Sequence, residues 1–299
     1  MITEQLLNPK SIVVIGGSNS ISKPGGRVLM NLKDGHFKGT IHVVNPKEPL
    51  VQGIKAIADV KELPSVDLAI IAIAAKYCEE TVSILAKQKN TKAFIILSAG
   101  FSEESKEGAE IEKKIVAIIN SVNGSLIGPN CIGFLNSNYS GVFTLPIPKL
   151  NPQGCDFISG SGATAVFIIN SGMLKGLTFS SVYSVGNSAQ MGVEEVLQYM
   201  DESFDPIKSS KVKILYIENV KKPALLLKHA SSLIRKGCRI AAVKAGSSDA
   251  GSRAASSHTG ALASPDVAVD ALFRKAGIVR CYSREELTTV ASVFMHKEV

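Results

Sequence analysis

Short apolar runs alternate with amphipathic segments from one end of the chain to the other. Residues 11–15, 40–44, 67–73, 93–97 and 125–127 are β-branched-rich runs of strand length, and 26–33, 76–88 and 107–120 place apolar residues three and four apart. Runs without polar alternation read as strands covered on both faces, and the spacing of three and four reads as the covering helices. The same rhythm returns with strands at 155–158, 178–183, 213–217, 239–243 and 278–279, and helices at 163–170, 193–200, 223–236 and 266–276. The pattern predicts an α/β protein built on parallel sheets.

Between 136 and 153 the rhythm lapses into Ser, Asn and Gly with Pro146, Pro148 and Pro152. That stretch reads as a linker between one domain over 1–135 and a second over 154–299. Gly172 is placed to cap the helix over 163–170, and Pro223 and Gly237 bracket another helix in the expected order. The segment 283–295 opens with a capping box, Ser283 with Glu286, and carries no stop signal, so a longer natural chain is expected.

With 299 residues, 45% of them hydrophobic and 20% charged, the composition is that of a soluble two-domain protein. No apolar run reaches membrane-spanning length, and the first residues lack the basic and apolar regions of a signal peptide. Five scattered cysteines without a C-x-x-C pair argue against a disulfide framework or a zinc site, and for a reducing, cytoplasmic compartment. The net charge of +7 suits an anionic ligand; without a basic run or any Trp it makes no nucleic-acid footprint.

Two small-residue segments carry candidate chemistry. Ser159, Gly160, Ser161, Gly162 and Ala163 follow a strand and open a helix, where backbone N–H groups and the helix dipole favour a phosphate. The segment 251–260 sets His258 among Gly, Ser and Ala, open to a bulky reactant. An imidazole is a nucleophile as well as a base, so His258 fits a carrier of a phosphoryl group. A plain surface histidine on a glycine–serine loop fits these residues equally.

In the first half, Gly16, Gly17 and Ser18 turn the chain after the first strand, the usual ligand edge of an open sheet. The spacing is not G-x-G-x-x-G, and Asn45, Pro46 and Lys47 stand where a NAD site would carry an acid. Lys47 suits a phosphorylated ribose, in NADP or in coenzyme A. Loops after later strands place Ser98, Ala99 and Gly100, then Gly128, Pro129, Asn130 and Cys131 on the same rim. No base accompanies Cys131, which reads as a structural thiol.

The ordered set of these blocks resembles the α-type portion of the NDP-forming acyl-CoA synthetases, the superfamily that includes succinyl-CoA synthetase. The set includes Val44-Asn45-Pro46-Lys47, Ser98-Ala99-Gly100-Phe101, Gly128-Pro129-Asn130-Cys131-Ile132-Gly133 and Ser159-Gly160-Ser161-Gly162-Ala163. It continues through Val185-Gly186-Asn187, Tyr216-Ile217-Glu218-Asn219-Val220, Lys244-Ala245-Gly246 and Ser256-Ser257-His258-Thr259-Gly260-Ala261-Leu262-Ala263.

The resemblance implies a Rossmann-like coenzyme A-binding domain, with Gly16, Ser18, Asn45, Pro46, Lys47, Ile73, Ala74, Ser98, Ala99, Gly100 and Asn130 at the ligand, followed by a flavodoxin-like domain. It implies that His258 becomes a phosphohistidine, that Glu218 orients its imidazole, and that residues 159–163 receive the phosphate. It implies, too, that ADP or ATP with magnesium enters only through an ATP-grasp partner, either a β-type subunit or a fused region. Two departures stand out: Ser188, Ala189 and Gln190 follow Gly186-Asn187 where the family commonly has an acid, and Ile73 precedes Ala74 and Ala75 where it has a proline. The competing expectations are a non-catalytic coenzyme A sensor, which has no need of the His258 loop, and an NADP-linked oxidoreductase, which lacks its glycine fingerprint.

Overall fold

A computed structural model describes residues 2–246 and 265–296. His258 and the rest of its loop lie outside the described residues. By contacts the chain divides into two compact units, Met1–Ile147 with Gly186–Met191, and Pro148–Val185 with Gly192–Val299. The linear sequence therefore crosses from the first unit to the second, returns for six residues, and crosses again.

In the first unit, helix α1 (Glu4–Leu7) precedes strand β1 (Ser11–Ile15), helix α2 (Pro24–Asp34) and strand β2 (Thr40–Val44). A two-stranded hairpin, β3 (Leu50–Val51) with β4 (Ile54–Lys55), turns through Gln52 and Gly53, both at positive φ, as a tight hairpin turn requires. Strand β5 (Leu68–Ile71), helix α3 (Cys78–Gln88), strand β6 (Ala93–Ile96), helix α4 (Lys106–Ser121) and strand β7 (Ser125–Ile127) complete the alternation. The sheet order is β2-β1-β5-β6-β7, all parallel. Strands β5, β6 and β7 are buried at every position, which is why they read as unbroken apolar runs. Helix α4 starts where the Ser105 hydroxyl accepts the Gly108 N–H at 3.0 Å. The hairpin β8 (Gly133–Leu135) with β9 (Ser140–Val142) follows, its second strand inside the stretch expected to be plain linker. Asn31 of α2 fixes it by donating to the carbonyls of Val142 and Thr144 at 2.6 and 3.1 Å.

The second unit opens with β10 (Leu150–Ser159), α5 (Gly162–Leu174), β11 (Phe179–Ser184) and α6 (Val193–Glu202). Strand β12 (Val212–Ile217), α7 (Pro223–Arg235), β13 (Arg239–Lys244), α8 (Asp266–Ala276), β14 (Val279–Cys281) and α9 (Arg284–His296) follow. Its parallel strands run β14-β13-β12-β10-β11. In order of appearance both units thus use the strand arrangement 2-1-3-4-5, the flavodoxin-like doubly wound order.

Gly172 does not end α5. It sits buried inside the helix, where a Cβ would come within 2.8 Å of Leu177 Cδ1. The glycine admits the returning chain, and the reversal falls at Gly176 with φ +80°. The expected capping box of α9 forms in shifted register: the Ser283 hydroxyl accepts the Glu286 N–H at 3.0 Å, while Glu286 accepts from the Tyr282 N–H at 2.7 Å.

A buried ion pair sits among the apolar strands. Asp156 on β10 and Lys213 on β12 occupy facing register positions and pair directly. Ser181 donates to Asp156 at 2.6 Å and Lys213 also donates to the Ser210 carbonyl at 2.8 Å, so both charges are hydrogen-bonded. Breaking such a pair leaves an uncompensated buried charge. Lys213→Met is expected to destabilise the second unit by about 3–5 kcal/mol in urea unfolding. Pairing it with Asp156→Leu is expected to restore much of that loss.

Candidate functional site

In the first unit the strand order reverses between β1 and β5, so the connections leaving their carboxyl ends diverge and open a crevice. Gly16, at φ +82°, stands on one side; a Cβ there would lie 2.7 Å from the Ala72 carbonyl oxygen and 2.9 Å from Ile73 Cγ2. The loop then folds back on α2: a Cβ on Gly25 would meet the Gly16 carbonyl oxygen at 2.1 Å, and one on Gly26 the Ser20 carbonyl oxygen at 2.1 Å. Glycine is required at all three positions because backbone meets backbone there. No acid lies in the first turn of α2, whose first residue is Pro24, so its N-terminus favours an anion.

Asn45 braces this loop. Its amide donates to the Gly17 carbonyl at 2.9 Å, and its Oδ1 accepts the backbone N–H groups of Lys47 and Glu48 at 2.8 and 3.1 Å. Lys47 and Pro46 are exposed at the tip of that turn. Ser18 is buried and accepts the Ser20 N–H at 3.1 Å.

Across the crevice, the Ser98 hydroxyl donates to the Ile73 carbonyl at 2.5 Å and holds two rim loops together. Ala74 and Ala99 are exposed beside them. Gly100, at φ +102°, gives its N–H to Glu103 at 2.7 Å. Asn130, at φ +57°, receives support from the Ser98 carbonyl through its backbone N–H at 2.9 Å. Cys131 is buried and bonded to the Ile96 carbonyl, and burial pushes its thiol up to about 12. It is a structural cysteine.

The returning segment 186–191 locks this rim, a role that sequence reasoning did not give it. The Asn187 N–H donates to the Pro129 carbonyl at 3.0 Å, and Gly186 leaves no room for a Cβ against the same carbonyl oxygen, 2.1 Å away. The Asn187 amide nitrogen donates to Glu103, to Glu112 at 3.0 Å and to Ser102 at 3.3 Å, and its oxygen accepts from Asn130 at 3.3 Å. Gln190 accepts the Leu126 N–H at 2.6 Å and donates to Asn120 and the Gly124 carbonyl. Its amide completes backbone bonds that a carboxylate, an acceptor only, does not.

The second unit reverses its strand order between β10 and β12, and the candidate phosphate turn emerges there. Ser159 is fully buried, and its hydroxyl donates to the Ser161 carbonyl at 2.8 Å. Gly160 donates its N–H to the Tyr216 carbonyl at 2.9 Å. Ser161 caps α5, its hydroxyl accepting the Thr164 N–H at 3.4 Å. The N–H groups of Gly162 and Ala163 remain without an acceptor among the described residues. With no acidic residue in that first turn, they form a donor pair open to an anion.

Glu218 leaves β12 beside this turn, its Cγ and N each 3.6 Å from where a Cβ on Gly160 would stand. Tyr216 lies two residues earlier; burial raises its hydroxyl above the usual tyrosine range, with Glu218 adding to the rise while a hydrogen bond with Thr164 and the charge of Arg284 oppose it. Lys244 ends β13 opposite Ile217. Burial lowers its ammonium, against the pull of Asp266, with Arg280 adding to the lowering and Glu218 opposing it. The described residues include no group of three or more His, Cys, Asp or Glu able to hold a metal, and no helix long and apolar enough to cross a membrane.

Comparison with known proteins gives both units a family. Residues 10–137 match the CoA binding domain, and residues 152–294 match the succinyl-CoA ligase like flavodoxin domain. The chain thus joins a CoA binding domain to a succinyl-CoA ligase like flavodoxin domain. It is 36% identical over 97% of its length to the α subunit of an ADP-forming acetate–CoA ligase II of Pyrococcus furiosus, of which it covers 62%. It is 33% identical over 98% of its length to an ADP-forming 4-hydroxybutyrate–CoA ligase of Nitrosopumilus maritimus, of which it covers 42%. A solved acetyl-coenzyme A synthetase 1 of Ca. Korarchaeum cryptofilum, in complex with phosphate and ADP, superposes with a TM-score of 0.89 at 27% identity, over 99% of this chain and 63% of that one. The chain thus spans 42–63% of the length of these relatives.

In this rim, Glu103 answers to Asn187. Burial opposes its ionisation, but hydrogen bonds from Asn187 and from the N–H groups of Gly100 and Phe101 outweigh it and hold the carboxyl below the ordinary 4.5. A carboxyl lowered on folding stabilises above its unfolded pKa, and that contribution is lost as pH falls through the folded one. Asn187→Leu is expected to move the Glu103 titration upward, read by carbon-13 NMR of the side-chain carboxyl. An unmoved midpoint would take Asn187 out of the rim's support.

Proposed function

We propose that this chain is the coenzyme A-binding and phosphohistidine-bearing part of an NDP-forming acyl-CoA ligase. The ligase takes acyl-CoA, phosphate and ADP or GDP to the free acid, coenzyme A and ATP or GTP. The observation that carries the reading is the open N–H pair of Gly162 and Ala163 with Glu218 alongside, at the strand-order reversal of a succinyl-CoA ligase-like domain.

The first unit supports coenzyme A in its crevice. Gly16, Gly25 and Gly26 remove the Cβ atoms that would close the loop over α2. Lys47, held outward by the Asn45 turn, suits the 3′-phosphate on the ribose of coenzyme A. Ser18, Pro46, Ile73, Ala74, Ser98, Ala99, Gly100 and Asn130 complete the proposed ligand edge; of these, Ser98 and Asn130 act through backbone positioning more than through free polar atoms.

In the second unit, the His258 imidazole takes the phosphoryl group from an acyl phosphate as the free acid departs, then yields it to the terminal oxygen of ADP or GDP. Glu218 accepts a hydrogen bond from the N–H of one ring nitrogen and leaves the other nitrogen to attack. The N–H groups of Gly162 and Ala163 receive the phosphoryl oxygens at the positive end of α5, worth up to about 2 kcal/mol in a partly buried site. Nucleotide and magnesium belong to an ATP-grasp partner, as a separate β-type subunit or a fused region. We place the protein in the cytoplasm, in keeping with five free, buried cysteines.

Two experiments test this. With the ATP-grasp partner and γ-labelled ATP, the chain is expected to become an acid-labile phosphoprotein, and His258→Ala to take up no label; label retained by that variant would put the phosphate elsewhere. By calorimetry, coenzyme A is expected to bind at least tenfold more tightly than its 3′-dephospho form, a difference of about 1.4 kcal/mol that Lys47→Ala abolishes. Equal affinities in the unaltered protein would remove Lys47 from the site.

A further inference from the structure

Residues 218–222 connect β12 to α7, and Glu218 heads that connection beside the phosphate turn, its Cγ 3.6 Å from where a Cβ on Gly160 would stand. The direction of its carboxylate depends on how both ends of the connection are held. The sheet holds the first end: the carbonyls of Tyr216 and Ile217 accept the N–H groups of Gly160 and Ala245 at 2.9 and 2.8 Å. Helix α6 holds the other. The backbone N–H groups of Lys221 and Lys222 both donate to one oxygen, Oε1 of Glu194, at 2.8 and 3.0 Å. Glu194 is only 3% exposed, and no cation pairs with it among the described residues; the Lys222 ammonium goes to the neighbouring Glu195 instead. A carboxylate buried without a cation is costly unless hydrogen bonds satisfy it. The end of α6 does not call for one at this position, because Glu195 already closes the capping box by accepting the Gly192 N–H at 2.8 Å. Val193, Val196 and Leu197 beside it are buried apolar residues, and an apolar side chain at 194 would cost less to bury. The connection it grips accounts for the charge: bonds from N–H groups to a carboxylate are about twice as strong as neutral ones, and the first turn of α6 favours an anion.

We infer that Glu194 is a positioning residue for Glu218, fixing the connection 218–222 from α6 so that the Glu218 carboxylate stays beside the phosphate turn. The inference rests on the role given to Glu218 above. Between Glu218 and the first anchored N–H, that of Lys221, lie only Asn219 and Val220, so a shift at the anchor is passed back to Glu218 with little slack. Removing the Glu194 oxygen leaves two backbone N–H groups without their acceptor and frees that anchor. In a phosphoryl transfer the loss is steep, because a misplacement of about 1 Å in an orienting group lowers a rate by up to about a hundredfold. Glu194 acts through Glu218 and takes no part itself in making or breaking a bond.

The test is the rate at which the complete ligase, this chain with its ATP-grasp partner, takes up label from γ-labelled ATP. Glu194→Leu is expected to slow labelling about tenfold and to leave coenzyme A affinity unchanged. Glu194→Gln, whose side-chain oxygen still accepts both N–H groups, is expected to label at nearly the unaltered rate. Glu194→Asp keeps the charge but withdraws the acceptor by one methylene, and is expected to label more slowly than Glu194→Gln. In a Glu218→Gln background, Glu194→Leu is expected to slow labelling no further, because residues that act as a unit are not additive; a merely structural role would slow both backgrounds equally. Full-rate labelling by Glu194→Leu, or equal slowing in both backgrounds, would overturn the inference, and a slowed Glu218→Gln would then leave the ligase reading standing. Should circular dichroism show Glu194→Leu unfolded, the other two variants decide: Glu194→Asp labelling as fast as Glu194→Gln would overturn the inference. Glu218→Gln labelling as fast as the unaltered chain would bring down the role of Glu218 and the inference with it.

Discussion

Parallel strands cannot turn directly into one another, so each must send its chain across a face of the sheet and back. Where successive crossovers take opposite faces, two neighbouring strand ends are left with their connections pointing apart. Both units of this protein are organised around that gap, between β1 and β5 in the first and between β10 and β12 in the second. The demand on the residues there is steric before it is chemical. Gly16 must pass the Ala72 carbonyl, and Gly25 must pass Gly16. Only once the backbone is that close can its N–H groups and the following helix act on a charged ligand.

The two gaps then diverge in how they treat charge. In the first, side-chain amides do the organising: Asn45, Asn130 and Asn187 each hold two chain segments at once, and cationic Lys47 is left outward on the surface. In the second, the charged groups are drawn inward. Glu218 lies close enough to the Tyr216 hydroxyl and to Lys244 to act on both, and low exposure strengthens each interaction. An amide-built rim suits binding without chemistry, whereas an enclosed set of ionisable groups suits a step in which charge moves.

Much of this was legible along the chain. Unbroken apolar runs marked β5, β6, β12 and β13 because strands buried on both faces leave no polar alternation to misread. The turns at Gly16 and at Ser159–Gly162 stood out because small residues cluster only where backbone must be approached. The failures have equally specific causes. Gly172 resembled a helix cap because a glycine admitting a neighbouring chain has the same letter as one adopting positive φ; Leu177, five residues on, supplies the reason. Strand β9 hid in a run of Ser, Asn and Gly because its side-chain anchor, Asn31, lies more than a hundred residues away. Asn187 was visible as part of a recognised block, but its partners Ser102, Glu103 and Glu112 are remote in sequence, and an amide announces no partner.

The excursion of residues 186–191 into the first unit has a consequence for how such proteins are assembled in evolution. A cut at the linear boundary near Ile147 would yield a first piece stripped of Asn187 and Gln190, and a second piece with a loop whose natural lodging has gone. The two halves are therefore less interchangeable than their separate family descriptions suggest, because a transplanted front half would need a host supplying the same six-residue plug. The plug is also continuous with β11 on one side and α6 on the other, so the occupancy of one lobe's rim is written, through covalent bonds alone, into the scaffold of the other.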